Sequence, residues 1–330
     1  MRHGVLTSLA AVAALSAAAL AAQTTAGAET TSAKKSWTVP RLADGHPDLQ
    51  GIWTNATITP LERPGQFAGK ATVSDAEAAK FEHQNNDNLY GDRRSADAER
   101  DRDHAYNALF FDRGTELARV DGVKRTSLIV DPPDGKIPPL TPEARNRMGN
   151  RVRNRFDSVQ DRPLGERCIL GFGSTSGPPM MPVLYNNNYQ IVQTPAAIMI
   201  LVEMVHDVRY IHMDRREHLP GSVRLWLGDS IGHWEGDTLV VDSTNFTDKT
   251  SFRGSSPNMH IVERFTRVEN GTILYKWTID DPESFTRPFS AEYPFRAAVG
   301  PIFEYACHEG NYAMPDILGG ARAADAKQKN

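Results

Sequence analysis

Met199 to Asp214 reads MILVEMVHDVRYIHMD, and Val223 to Phe246 reads VRLWLGDSIGHWEGDTLVVDSTNF, with only RREHLPGS between them. Both stretches are strand-like, and both carry ionisable residues inside apolar runs. In the first, one alternate set is Ile200, Val202, Met204, His206, Val208, Tyr210 and His212, while the other holds Glu203, Asp207 and Arg209. A strand wetted on one side separates the two classes cleanly. The mixing therefore predicts a sheet whose concave face holds polar groups, as the inside of a ligand-binding barrel does.

Outward from this stretch, strands are expected at 189–193, 197–213, 223–227, 238–246, 259–268, 272–280, 289–295 and 302–307. Turn chemistry separates several of them, notably Glu235-Gly236-Asp237, Glu269-Asn270-Gly271 and Asp280-Asp281-Pro282. Short neighbouring strands joined by tight turns make an antiparallel meander, so the fold expected is mainly β, a lipocalin-like barrel spanning residues 168–313. Gly51-Ile52-Trp53 opens an apolar strand in the Gly-x-Trp order that resembles the first strand of lipocalins, a likeness of architecture only. The Gly-rich GFGSTSGPPMMP after Cys168 lacks a phosphate-loop order and reads as a turn.

Before the barrel, residues 46–167 are loop-rich and are expected to wrap or lid the same single domain, 46–330. Ser74 and Glu77 form a capping box for one helix, and Thr141-Pro142 places the N-cap and first residue of a second. RTSLIVDPPDGKIPPL reads as a strand, a turn and a return strand, ALFFDRGTELA lies against the core, and QNNDNLYGDRRSADAERDRDH is polar enough to be exposed or mobile. Residues 29–45 and 314–330 read as tails. Residues 1–28, a basic start followed by an Ala-rich apolar run and Ala-x-Ala sites, read as a cleaved signal peptide. No later stretch has the length and apolarity of a membrane span, so the mature protein is expected to be periplasmic or secreted.

A formal charge of −4 gives no reason to expect nucleic acid, and the Arg145–Arg155 cluster reads as a solvated helix face. The two cysteines, Cys168 and Cys307, are expected to form a disulfide in an oxidising compartment.

The blocks PDLQGIW, RTSLIVDPPDGKIPPLTPEAR, YNNNYQIVQTP, WEGDTLVVDSTNFTDKTSFRG, HIVERFTRV and YACHEGNY resemble those of a broad family of uncharacterised exported bacterial proteins. The resemblance implies export and supplies no functional residues.

Those have to be read from the ionisable groups. His206, on the most apolar strand, is the best-placed general base at near-neutral pH; Glu263, Glu292 and His308 are further acid–base candidates. Glu203, Asp207, Arg209, Tyr210, Trp226, Trp234, Arg287 and Tyr305 are candidates for binding a ligand. His206, Asp207, His308 and Glu309 have no metal-site spacing, and no metal or cofactor is expected. The density of inward charge favours a cofactor-independent acid–base enzyme, a lyase, isomerase or hydratase acting on a small aromatic, polyketide-like or sugar-derived molecule. The alternative is a non-catalytic carrier of a small hydrophobic ligand.

Overall fold

The run from His260 to Ala297 shows why the chain closes on itself. Thr272–Asp280 alternates without a break, burying Ile273, Tyr275, Trp277 and Ile279 while the residues between them are half-exposed. Its neighbours bury Ile261, Glu263 and Phe265 on one side and Phe289, Ala291, Tyr293 and Phe295 on the other. One face of three long strands is thus dense in large rings, and closing the sheet buries that face.

In the computed structural model, residues 37–90, 96–99 and 111–328 are described. The strands are β1 (Gly51–Thr54), β2 (Thr72–Val73), β3 (Arg119–Val120), β4 (Val123–Arg125), β5 (Ile129–Asp131), β6 (Asn188–Gln193), β7 (Ala197–Val202), β8 (Val208–His212), β9 (Asp229–Glu235), β10 (Thr238–Thr244), β11 (His260–Glu269), β12 (Thr272–Asp280) and β13 (Phe289–Ala297). The helices are α1 (Asp75–Tyr90), α2 (Pro142–Asn154) and α3 (Ala313–Gln328). Nine strands form a closed barrel in the order β1-β6-β7-β8-β9-β10-β11-β12-β13, with β13 returning to β1. β5 adds to β13 at its other end, and β2, β4 and β3 make a small separate sheet. The barrel is therefore mainly β, as expected, but it is mixed: β8 and β9 are parallel. A parallel pair needs a long crossover, and residues 213–228 supply it.

The mixed faces of the opening stretch have a simple cause. Ala197–Met213 is two strands, because Val205 and His206 take left-handed backbone (φ 66° and 58°) in a short turn at Met204–His206. The turn shifts the alternation by one, so even-numbered Ile198, Ile200 and Val202 face inward before it and odd-numbered Arg209 and Ile211 after it. His206 consequently lies on no strand face.

Other expectations need correction. Val223–Leu227 is a loop with one bridge, Leu225 to Phe246, and Ile302–Cys307 is an irregular strap. The unforeseen strand of the barrel is β9. Two of its inward positions are small: Ser230 bonds Ser243 (Oγ–Oγ 2.7 Å), and a Cβ on Gly232 would meet Met213 Sδ at 2.6 Å. No return strand follows the Pro-Pro-Asp-Gly turn, only a bridge from Leu140 to Phe285. The C-terminal tail is α3, and its Arg322 donates to the carbonyls of Phe156 and Asp157. Of the tail 29–45, Val39 is buried and Arg41 pairs with Asp237 at 2.6 Å, so that part is tied down. The signal peptide, the rest of that tail and most of the polar run after Tyr90 lie outside the described residues.

Both foreseen helix caps form. Glu77 Oε2 accepts from the Ser74 backbone N–H, and Lys70 with Ser74 holds the Glu77 carboxyl down to about 2. Thr141 Oγ1 accepts from Ala144 N–H behind the N1 proline. Cys168 and Cys307 are joined as a disulfide, with Cα atoms 5.7 Å apart. Among the described residues no helix is long and apolar enough to cross a membrane.

Candidate functional site

The barrel interior holds a buried ion pair. Arg209 on β8 and Glu263 on β11 are 1% and 0% exposed and meet bidentately at 2.9 and 2.5 Å. Tyr275 donates its hydroxyl to Glu263 at 2.5 Å, and burial followed by the Glu263 charge pushes that phenol well above its ordinary value, so it stays a donor. Burial pulls Arg209 down, and the Glu263 charge more than offsets it, leaving the guanidinium above its ordinary value.

Within the Gly-rich segment 171–182, residues 175–181 are more than a surface turn, since every one of them is buried. It plugs one end of the barrel. Met180 N–H donates to Tyr275 Oη at 3.1 Å, and Met180 carbonyl accepts from Tyr293 at 2.8 Å and Asn55 at 2.9 Å. Tyr189 donates to the Thr175 carbonyl at 3.1 Å. The ion pair therefore orients a tyrosine that in turn holds the plug, and the rings of Phe265, Tyr275, Tyr293 and Phe295 pack against one another beside it, mostly tilted or edge-on.

On the outer side of the plug lies a cavity of about 660 Å³. Leu128, Met181, Met204 and Phe252 are its buried walls, the chain from Thr57 to Leu61 runs along it, and Asn85, Arg113, Phe172, Tyr185 and Arg253 border it. Arg113 donates to Asn85. No Asp, Glu or His lines the cavity among the described residues.

Beside it passes the strap, 301–312. Phe303 N–H donates to Glu203 at 3.2 Å, Tyr305 N–H donates to His206 Nε2 at 2.8 Å, and the Tyr305 ring stacks on cavity-lining Tyr185 with centroids 6.4 Å apart. The disulfide and Asn311, donating to the Glu166 carbonyl, fasten the strap further along.

Of the residues singled out by sequence, Glu203, His206 and Tyr305 are brought together here. Arg209 and Glu263 meet inside the barrel, and the others are dispersed. Glu203 also accepts from Asn188 at 2.8 Å, and Asp207 accepts from Ser176 at 2.6 Å; burial raises the Asp207 carboxyl against that hydrogen bond. Glu292 points out of the barrel to pair with Arg125. His308 is exposed on the strap, Arg287 pairs with Asp131 at 2.8 Å on the surface, and Tyr210 and Trp226 are exposed. Trp234 stacks on His46 at 5.0 Å. The four acid–base candidates thus do not share a site.

Sequence reading passed over Arg113, Tyr185, Phe252 and Arg253; for the last two the only signal was the turn chemistry of SFRGSS. It also passed over a histidine–aspartate chain on the outer barrel wall. His218 Nδ1 meets Asp229 at 2.9 Å, and its Nε2 meets Asp242 at 3.1 Å; His260 Nε2 reaches the same Asp242 oxygen at 2.9 Å. Arg215 and Leu219 N–H complete the set on Asp229. These contacts staple the 213–228 crossover to β9, β10 and β11. Among the described residues no group of three or more His, Cys, Asp or Glu is arranged to hold a metal ion.

No family model, curated protein or solved structure matches this chain.

Proposed function

We propose that this is an exported protein that binds a small molecule in the cavity over the plugged barrel, without changing it. One observation carries the reading: a space of about 660 Å³ whose walls are mostly apolar, with a few polar groups at its border and none of the usual acid–base side chains among the described residues. That is the composition of a binding pocket, and the volume suits a ligand of drug-like size. Export rests on the apolar N-terminal run together with the disulfide. The acid–base reading has less support, because the inward charges that suggested it are engaged in holding the fold. Arg209 and Glu263 serve the plug, while Glu203 and His206 accept backbone N–H groups of the strap.

Phenylnaphthylamine, an uncharged aromatic dye, tests this. Saturable one-to-one binding is expected, and Leu184→Trp, which fills the cavity from its exposed border, abolishes it. Binding untouched by Leu184→Trp would place the dye elsewhere and sink the proposal.

A further inference from the structure

We infer that the ligand of this cavity is an organic anion, an aromatic or alicyclic body carrying a carboxylate, sulfonate or similar group, and that Arg253 is the residue that selects it. The inference rests on the binding reading above. Three observations carry it. The cavity's only charged lining residues among those described are two guanidiniums, Arg113 and Arg253, and no carboxylate faces them across it. The nearest acid in sequence to Arg113, Asp112, is turned to Asn187, whose side-chain amide donates to it at 2.9 Å. A cavity bordered by one sign of charge with low-dielectric walls concentrates ligands of the other sign.

The second observation concerns Arg253 alone. It is exposed, and among the described residues it makes no hydrogen bond and no ion pair. Other arginines nearby are occupied: Arg147 donates to Ser284, Arg151 to the Asp248 carbonyl, and Arg113 to Asn85.

The third is how firmly Arg253 is placed. Its backbone is left-handed, at φ 54°, which is uncommon for a residue of this type. The turn is nevertheless fixed from both sides: Ser255 N–H donates to the Phe252 carbonyl at 3.0 Å, and Phe252 N–H donates to Ser255 Oγ at 2.8 Å. Phe252 itself is buried edge-on against Trp277, with centroids 5.7 Å apart. A side chain of the barrel core thus anchors the residue whose neighbour carries the charge, and the apolar wall and the backbone that bears the guanidinium arrive as one unit. A planar guanidinium at the border of an apolar cavity suits a carboxylate or sulfonate, which it meets with two parallel N–H groups.

Two dyes of similar body separate the inference from the reading beneath it: anilinonaphthalene sulfonate, which carries a negative charge, and phenylnaphthylamine, which carries none. Both are expected to bind the folded protein saturably. Arg253→Gln should weaken the sulfonate about 5- to 10-fold and leave the neutral dye within about 2-fold, and Arg253→Lys should fall between. Raising salt should weaken the sulfonate in the wild type and have much less effect in Arg253→Gln. Equal loss of both dyes in a variant that melts like the wild type would overturn the anion assignment and leave the cavity as a neutral-ligand site. Failure of the sulfonate alone to bind saturably would likewise overturn the anion assignment, whereas failure of both dyes would overturn the binding reading itself.

Discussion

The inside of the barrel and the cavity over its plug are separated by seven residues of loop and are built on opposite terms. Inside, the one ion pair is dry and bidentate, and its carboxylate takes a third bond from a tyrosine. Outside, the walls are equally apolar, yet the charges that border them are only partly engaged or not engaged at all. Charge that the fold has already neutralised is architecture, whereas charge carried to the border of an apolar cavity is available to a ligand. The difference lies in the partners and not in the residue type.

The largest effect should come from breaking the inner pair. Glu263→Gln is expected to destabilise by about 3–5 kcal/mol in a denaturant titration, because Arg209 is left charged in a dry interior. Arg209→Met combined with Glu263→Leu should recover much of that loss; if the double variant is as unstable as the single one, the pair contributes more than mutual neutralisation. Removing the disulfide by Cys168→Ser with Cys307→Ser should cost about 2–4 kcal/mol and should raise proteolytic cutting of the strap before that of the barrel.

A smaller effect is expected at the strap's other fastening. His206→Ala deprives Tyr305 N–H of its acceptor and should lower stability by about 0.5–1.5 kcal/mol while speeding release of bound dye from the cavity; unchanged dye release would detach the strap from the site.

The smallest belongs to the outer histidine–aspartate chain. Asp229 and Asp242 are each pushed up by burial and pulled below the usual carboxylate value by their hydrogen bonds, so their contribution is complete above about pH 4 and is lost as pH falls through the depressed values. The Asp242 bond raises His260 against the effect of burial, so its contribution is complete below about pH 6.5 and is lost as pH rises through the raised value. The window common to both runs from about pH 4 to 6.5. His260 and Asp242 are 44% and 35% exposed, which limits the pair to about 0.2–1 kcal/mol. Thermal melts of His260→Ala against wild type should differ most inside that window and converge on either side.

How much of this could be read from the sequence differs between the same two regions. The alternation of Ile273, Tyr275, Trp277 and Ile279, the two helix caps and the cysteine pair were legible because each depends on residues close in sequence or on a chemistry with a single common outcome. The one-residue shift at Val205 and His206 was not, since neither side chain favours a left-handed backbone and only the surrounding barrel imposes it. β9 was hidden by the small inward residues that let the crossover approach. The mouth was least legible of all. Arg253 lies between Phe252 and Gly254 with no pattern to mark it, and its neighbours across the cavity come from segments far apart in the chain.

The barrel's seam has a consequence for how the molecule is made. β1 is held between β6 and β13, so the first barrel strand to leave the ribosome must wait for the last before its second edge is covered. During synthesis the longest hairpins, β9 to β13, can assemble among themselves while β1 stays apart. Its shortness, four residues beginning with glycine, keeps that waiting edge a poor template for a neighbouring chain. Closure thus waits for β13 and is carried out on one of the first barrel segments made.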